Sequence, residues 1–288
     1  MKSAFFQGAC TALVTPFSNG KVNYSMFSTL MERQVESGIS CVVLCGTTGE
    51  APTLSDSEKL HIFQYVKQHF PSQTIICGTG ANDTQHAIRL SLAAEESGAD
   101  ALLVVSPYYN KANSQGLIAH YSAIASAVHI PIILYNVPSR TGLDIPVSVY
   151  KTLSEIPNIA GVKEASTDIT KIAKIRASCP DSFSVWSGND DMTVPAMALG
   201  ASGVISVVSN VAPLEIQDLC LAALAGDFDT AAELQLALLP LIGALFSEVN
   251  PIPVKTAMKL LGYDCGECRL PLGALSLEKQ NTLKALLT

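Results

Sequence analysis

Eight short apolar runs, each separated from the next by a longer stretch of helical character, are the feature of this 288-residue chain that most narrows what it can fold into. The runs are Ala9 to Val14, Cys41 to Cys45, Thr74 to Cys77, Ala101 to Val105, Pro131 to Tyr135, Ile159 to Val162, Phe183 to Trp186 and Gly203 to Val207. Apolar strands that alternate with helices imply a parallel sheet covered on both faces, because the crossover between parallel strands runs through a helix. Eight β/α units in about 210 residues fit a closed α/β TIM barrel, (β/α)₈, better than an open sheet.

Helix ends are legible as well. Ser55-Asp56-Ser57-Glu58 fits a capping box, in which the Ser55 hydroxyl and the Glu58 carboxylate each reach a free backbone N–H. Gly38 and Gly98 stand where the preceding helices should stop. From Pro213 onward the pattern is helical only, with Ala/Leu-rich stretches to Phe246, then Pro253 to Leu261 and Ser276 to Leu287. The expected organisation is a catalytic barrel over residues 1–224 and a C-terminal helical segment over 225–288, with no flexible linker ahead of it.

A net charge of −7 argues against nucleic acid or an anionic membrane as partner and leaves small molecules. The eight cysteines are scattered, several inside apolar runs, a usage that suits a reducing cytosol. Cys265-Gly266-Glu267-Cys268 has no second pair and no nearby histidine, so it reads as a loop rather than a zinc or redox motif. Near the N-terminus, Lys2 precedes a few apolar residues, but Gln7 and Gly8 interrupt any signal-peptide core, and no apolar run reaches membrane-spanning length. A cytoplasmic protein is expected.

In β/α barrels the chemistry collects where strands end and loops to the following helix begin. Those ends carry Thr15-Pro16, Gly46-Thr47-Thr48-Gly49-Glu50, Gly78-Thr79-Gly80, Ser106-Pro107-Tyr108-Tyr109-Asn110, Tyr135-Asn136, Lys163-Glu164, Ser187-Gly188-Asn189-Asp190 and Ile205-Ser206. Lys163 stands out among thirteen lysines as the one that ends a strand-like run; the others sit in polar or helix-like surroundings where water can keep the ammonium charged. Desolvation disfavours a charged amine, and a neutral amine is a nucleophile for carbonyl carbon. A lysine at the tip of an edge strand, with its head in solvent, is the bland alternative.

The five histidines fall in helices or loops away from the strand ends, so any proton transfer there rests on Thr47, Tyr109 and Tyr135 acting as a hydroxyl network. The Gly46-Thr47-Thr48-Gly49 loop offers backbone N–H groups ahead of a helix, a ready anion site. Asp190 and Asp191 in the loop after the seventh strand would repel a phosphate dianion, so a small carboxylate is the better ligand. Arg140 can bind a carboxylate bidentately, or else pair at the surface with Asp144.

The segments GTTGE (46–50), PYYNK (107–111), YNVPSRTG (135–142), GVKEAS (161–166), SGND (187–190), GVISV (203–207) and NPIPVK (250–255) give the chain a resemblance to the dihydrodipicolinate synthase (4-hydroxy-tetrahydrodipicolinate synthase) family. They span nearly the whole chain in register. N-acetylneuraminate lyase, of the same class I pyruvate aldolase superfamily, is similar at the GTTGE-like loop and the Schiff-base lysine but usually lacks an arginine matching Arg140.

The resemblance implies a lyase that condenses pyruvate with aspartate 4-semialdehyde, on the way to diaminopimelate and lysine. It implies Lys163 as the Schiff-base lysine, with Thr47, Tyr135 and Tyr109 as proton-relay hydroxyls and Tyr109 acting across an interface of a homo-oligomer, a dimer or tetramer. Thr48 matches the residue that holds the pyruvate carboxylate, Arg140 the one that binds the carboxylate of the semialdehyde, and Gly188 and Ile205 match backbone positions lining the pocket. No cofactor and no metal are implied.

Where members bind lysine as a feedback inhibitor, the matched positions here read Ala51, Pro52, Asp56, Lys59, Asn82, His86 and Tyr108. Lys59 and His86 depart from the pattern. A cationic side chain opposes a cationic effector, so feedback by lysine is expected to be weak or absent. Two other readings compete: a metal-dependent aldolase using Glu50, Glu164, Asp190 and Asp191 as oxygen ligands, and a non-catalytic binding protein on an aldolase fold.

Overall fold

A computed structural model describes residues 4–287; Lys2, which figured in the signal-peptide argument, lies outside them. Eight parallel strands close into a barrel: Gly8–Ala12, Cys41–Leu44, Thr74–Gly78, Ala101–Val105, Ile132–Asn136, Ile159–Glu164, Ser184–Ser187 and Gly203–Ser206. Each pairs with its neighbours in sequence, and the first closes the ring against the last, with Gly8 opposite Gly203 and Thr11 opposite Ser206. All eight expected strands are present, with ends that move by at most a few residues, as strand ends do where the apolar run outlasts the ladder. A short antiparallel hairpin, Phe17–Ser18 with Lys21–Val22, was not expected, since two residues per arm carry no periodicity.

The closed sheet creates two cores. Outside it, the apolar faces of the helices pack on the outward strand residues. Inside lies a separate cluster built from Cys10, Ala12, Val43, Ile76, Leu103, Ile133, Tyr135, Trp186 and Ile205, the alternate positions along each strand. The N-terminal segment plugs this inner core from the start of the strands. Phe6 stacks on Trp186 at 4.8 Å, and the Trp186 indole N–H donates to the Phe6 carbonyl at 3.2 Å.

The helix signals behave as their chemistry requires. Ser55 caps helix Asp56–His69 with the full reciprocal box, and Gly38 and Gly98 take φ of +74° and +89° just past the ends of helices Tyr24–Glu36 and Thr84–Glu96. Helix Pro213–Leu224 packs on the first strand and completes the eighth β/α unit, and beyond the barrel helices Phe228–Leu245, Ile252–Leu260 and Leu277–Leu287 follow. Phe228–Leu245 falls in the stretch expected to be helical, but the expectation that no run reaches membrane-spanning length needs correction, since this helix has the length and hydropathy of a membrane span although Asp229 and Glu233 interrupt its apolar sequence. It packs against Pro213–Leu224 and against Leu277–Leu287.

Candidate active site

Lys163 sits one residue from the C-terminal end of strand Ile159–Glu164, paired in register with Tyr135 on one side and Trp186 on the other. Its side chain is buried, and Nζ lies 4.6 Å from the centroid of the Tyr135 ring. The expectation that other lysines stand in watery surroundings needs correction: Lys59, Lys171 and Lys255 are buried too. Those three face carboxylates, Lys59 toward Asp56, Lys171 toward Asp144 and Glu164, and Lys255 toward Glu50. Lys255 and Lys171 each meet a buried acid, Glu50 and Glu164, whereas Lys59 is buried beside a half-exposed one, Asp56. Lys163 differs in chemistry rather than in burial, for among the described residues it has neither an ion pair nor a hydrogen bond.

Room for that amine is made by a glycine. A Cβ on Gly188 would lie 3.0 Å from Lys163 Cε and 2.6 Å from the Ala165 side chain, so any larger residue there would push the amine aside. Ile205 is fully buried on the inner face of the barrel.

The GTTGE loop is held in a tight fold. Cys45 and Glu50 flank it in left-handed backbone conformations, φ +51° and +57°. Inside it, the Glu50 N–H donates to Thr47 O at 3.1 Å and the Ala51 N–H to Gly46 O at 3.2 Å. It lies so close to the next strand end that a Cβ on Gly78 would stand 2.2 Å from Cys45 O. Thr48 Oγ1 accepts a hydrogen bond from Asn250 Nδ2 at 2.9 Å, which leaves its own proton free to donate.

Arg140, in the turn Pro138–Thr141, donates to the Asn250 carbonyl at 3.1 Å. The surface pair with Asp144 does not form, because Asp144 is taken by Lys171 and Asn136. Asn250 therefore bridges Thr48 and Arg140, and its Oδ1 is buried without a hydrogen-bond partner. Sequence reading missed this residue, although the segment NPIPVK that carries it stood out.

Glu50, at the end of the loop, is buried and accepts from Lys255 Nζ at 2.8 Å and from the Arg269 N–H at 2.8 Å. Through these bonds the C-terminal segment is tied directly to the barrel rim.

A cavity of about 370 Å³ opens over this rim. Thr47, Tyr135 and Arg140 line it, as do Ala51, Pro52, Asp56, Lys59, His86 and Tyr108 from the expected effector positions. His86 reaches the cavity from the first turn of helix Thr84–Glu96, so not every histidine stands apart from the rim. Its Nε2 lies 2.8 Å from Asp56, and Lys59 Nζ is 4.0 Å from the same carboxyl group. Asn82 Nδ2 donates to the Tyr108 carbonyl at 3.3 Å.

Tyr109 is not part of the constellation within one chain. It is 92% exposed, on a left-handed backbone with φ +70°, while Tyr135 is 6% exposed. Thr47 and Tyr135 share the cavity wall, and their hydroxyls are not hydrogen-bonded to each other.

The four acids of the metal reading do not converge. Glu50 belongs to Lys255; Glu164 accepts from Asn136, Tyr150 and the Ser166 N–H; Asp190 accepts from the Ser206 hydroxyl and the Val207 N–H; Asp191 is exposed. Burial pushes the Asp190 carboxyl up, against the hydrogen bonds from Ser206 and Val207. Among the described residues no three His, Cys, Asp or Glu side chains gather to hold a metal ion. In the CxxC loop the two thiols are free, and burial pushes both up to about 12, far from the range of a reactive thiolate.

Fold and rim together define a (β/α)₈ barrel of the class that builds its site at the C-terminal ends of the strands, around a buried lysine. The dihydrodipicolinate synthetase family matches residues 5–288, and the chain belongs to it. It is 46% identical over 288 residues, 100% of this chain and 98% of the relative, to 4-hydroxy-tetrahydrodipicolinate synthase of Acetivibrio thermocellus. The crystal structure of dihydrodipicolinate synthase from Aquifex aeolicus superposes with a TM-score of 0.96 at 46% identity, over 98% of this chain and 97% of that one. The chloride-inhibited enzyme of Acinetobacter baumannii, complexed with pyruvate, gives a TM-score of 0.96 at 41% identity over 98% of both chains.

Proposed function

We propose that the chain is a lyase that condenses pyruvate with aspartate 4-semialdehyde through a Schiff base on Lys163, giving 4-hydroxy-tetrahydrodipicolinate for diaminopimelate and lysine synthesis. The observation that carries this reading is a buried amine with no carboxylate of its own, set against a tyrosine ring at the mouth of the barrel. The chemistry runs in balanced steps. The amine adds to the pyruvate ketone carbon, the carbinolamine loses water, and the resulting iminium draws electrons from the methyl group, which gives up a proton. The enamine carbon then attacks the aldehyde, whose oxygen takes a proton and becomes the hydroxyl. The amino group of the semialdehyde finally closes the ring onto the iminium carbon and frees Lys163. No cofactor is required, since the iminium itself is the electron sink.

Thr48, with its hydroxyl proton free, suits the pyruvate carboxylate, while the amides at the start of the short helix are engaged within the loop, Glu50 and Ala51 donating to Thr47 O and Gly46 O. Arg140 at the cavity wall suits the carboxylate of the semialdehyde. Thr47 and Tyr135 are the near hydroxyls for proton transfer. Gly188 leaves space beside the stem of the amine, and Ile205 lies in the inner core of the barrel. Tyr109 projects away from its own barrel, which supports a role in the site of a second copy within a homodimer or homotetramer. Residues 1–224 are then the catalytic barrel and 225–288 the helical segment that braces its rim. A cytoplasmic setting suits the free cysteines.

Incubation with pyruvate and borohydride tests the reading directly. The expected product carries a pyruvate-derived mass on the peptide that contains Lys163; an unmodified Lys163, or label on another residue, would refute it.

A further inference from the structure

Behind the rim, on the outward face of the two strands that carry Tyr135 and Lys163, lies a polar cluster, buried at Asn136, Glu164 and Lys171 and exposed at Asp144, that the proposed chemistry does not use. Asn136 and Glu164 follow those two residues directly and are themselves register partners. Asn136 Nδ2 donates to Glu164 Oε1 at 2.8 Å and to Asp144 Oδ1 at 2.8 Å, while Asn136 Oδ1 accepts the Ile145 N–H at 3.0 Å. Glu164 also accepts the Ser166 N–H at 2.8 Å and the Tyr150 hydroxyl at 3.1 Å. Lys171 balances both acids, pairing with Asp144 and lying 3.7 Å from Glu164.

Backbone bonds run along the same line. The Ala165 N–H donates to Asn136 O at 2.9 Å, and the Gly188 N–H to Glu164 O at 2.7 Å. One hydrogen-bonded pair therefore touches the strand of Tyr135, the strand of Lys163, the loop of Gly188 and the far end of the loop that holds Arg140.

We infer that Asn136 and Glu164 are positioning residues, a clamp that sets Lys163, Tyr135 and Arg140 at fixed distances from one another. The inference rests on the Schiff-base reading. Strands held only by their ladder bonds can slide or splay at their ends, where the ladder stops. A side-chain bond one residue beyond the reacting pair removes that freedom, and misplacement by about 1 Å can cost about a hundredfold in rate. Asn is suited to the task because its amide donates twice and accepts once here, and Glu supplies acceptors on both oxygens.

The test separates positioning from mere stability by counting active sites. Asn136→Ala and Glu164→Gln are trapped with pyruvate and borohydride, and turnover is expressed per trapped Lys163, well below each variant's melting temperature. Asn136→Ala is expected to trap pyruvate fully yet turn over about tenfold to a hundredfold more slowly per site, with KM rising for the semialdehyde more than for pyruvate. Glu164→Gln, nearly isosteric and still able to accept from Asn136, is expected to lose much less, and it keeps the test alive if the alanine variant does not fold. Turnover per trapped site equal to that of the parent in every variant that folds, with only the melting temperature lowered, would overturn the inference. Failure of the parent enzyme to trap pyruvate on Lys163 would instead count against the Schiff-base reading, so the two failures are distinguishable.

Discussion

Lys163 and Tyr135 face each other in register on adjacent barrel strands, with the amine 4.6 Å from the centre of the ring. The ring is thus a wall for the amine, and Tyr135 also lines the cavity. Tyr135→Phe keeps the wall and removes the hydroxyl. It is expected to leave borohydride trapping of pyruvate intact and to lower turnover about a hundredfold, the ordinary contribution of one general acid–base group. Turnover close to that of the parent would remove Tyr135 from the proton path.

The pair of Glu50 and Lys255 holds the C-terminal segment to the loop that carries Thr47 and Thr48. Both side chains are almost wholly buried at 2.8 Å. Lys255→Met strands a buried carboxylate and is expected to cost about 3–5 kcal/mol in urea unfolding. Adding Glu50→Gln to the same chain should recover a large part of that loss, because the penalty comes from the unpaired charge. If the double variant is as unstable as the single one, packing rather than charge sets the cost.

Glu58 and Arg269 make a second link, at 2.6 Å, between the capping box and the C-terminal loop. The guanidinium beside Glu58 holds its carboxyl down at about 2, from an ordinary value of 4.5. A carboxyl held down in the folded state contributes stability that is complete above about pH 4.5 and is lost as pH falls toward about 2. The pair is partly exposed, so the contribution after solvent screening is about 1 kcal/mol. Thermal melts of Glu58→Gln are expected to lie below the parent at neutral pH and to converge with it near pH 2. A constant gap across that range would show that the link does not titrate.

Lys59 and His86 share the single carboxylate of Asp56 in the outer half of the cavity, which leaves no acid there to receive an ammonium. Lysine at millimolar concentration is therefore expected to inhibit weakly or not at all, and His86→Glu combined with Lys59→Gln should raise sensitivity. Strong inhibition of the parent at sub-millimolar lysine would contradict this.

Much of the barrel was legible because each strand is a run of apolar residues bounded by polar ones, and burial on both faces demands that pattern. Lys163 was legible for the same reason, as a charge that ends such a run. The hairpin at Phe17 to Val22 and the burial of Lys59, Lys171 and Lys255 were not, since the first is too short for any period and the others depend on which acid each meets. Asn250 was hidden because its partners, Thr48 and Arg140, are more than a hundred residues away.

The order of residues by itself determined eight strands, their helices and the chemical types that collect at one rim, because periodicity and strand ends are local properties. Only the tertiary structure decided which side chains meet: Lys163 against Tyr135, Asn136 against Glu164, Asn250 between Thr48 and Arg140, and Tyr109 turned outward. Contacts of that kind arise when the sheet closes and the C-terminal helices fold over its mouth, so hydrogen-bond geometry and shared burial settle them, and neither is written in the spacing of residues along the chain.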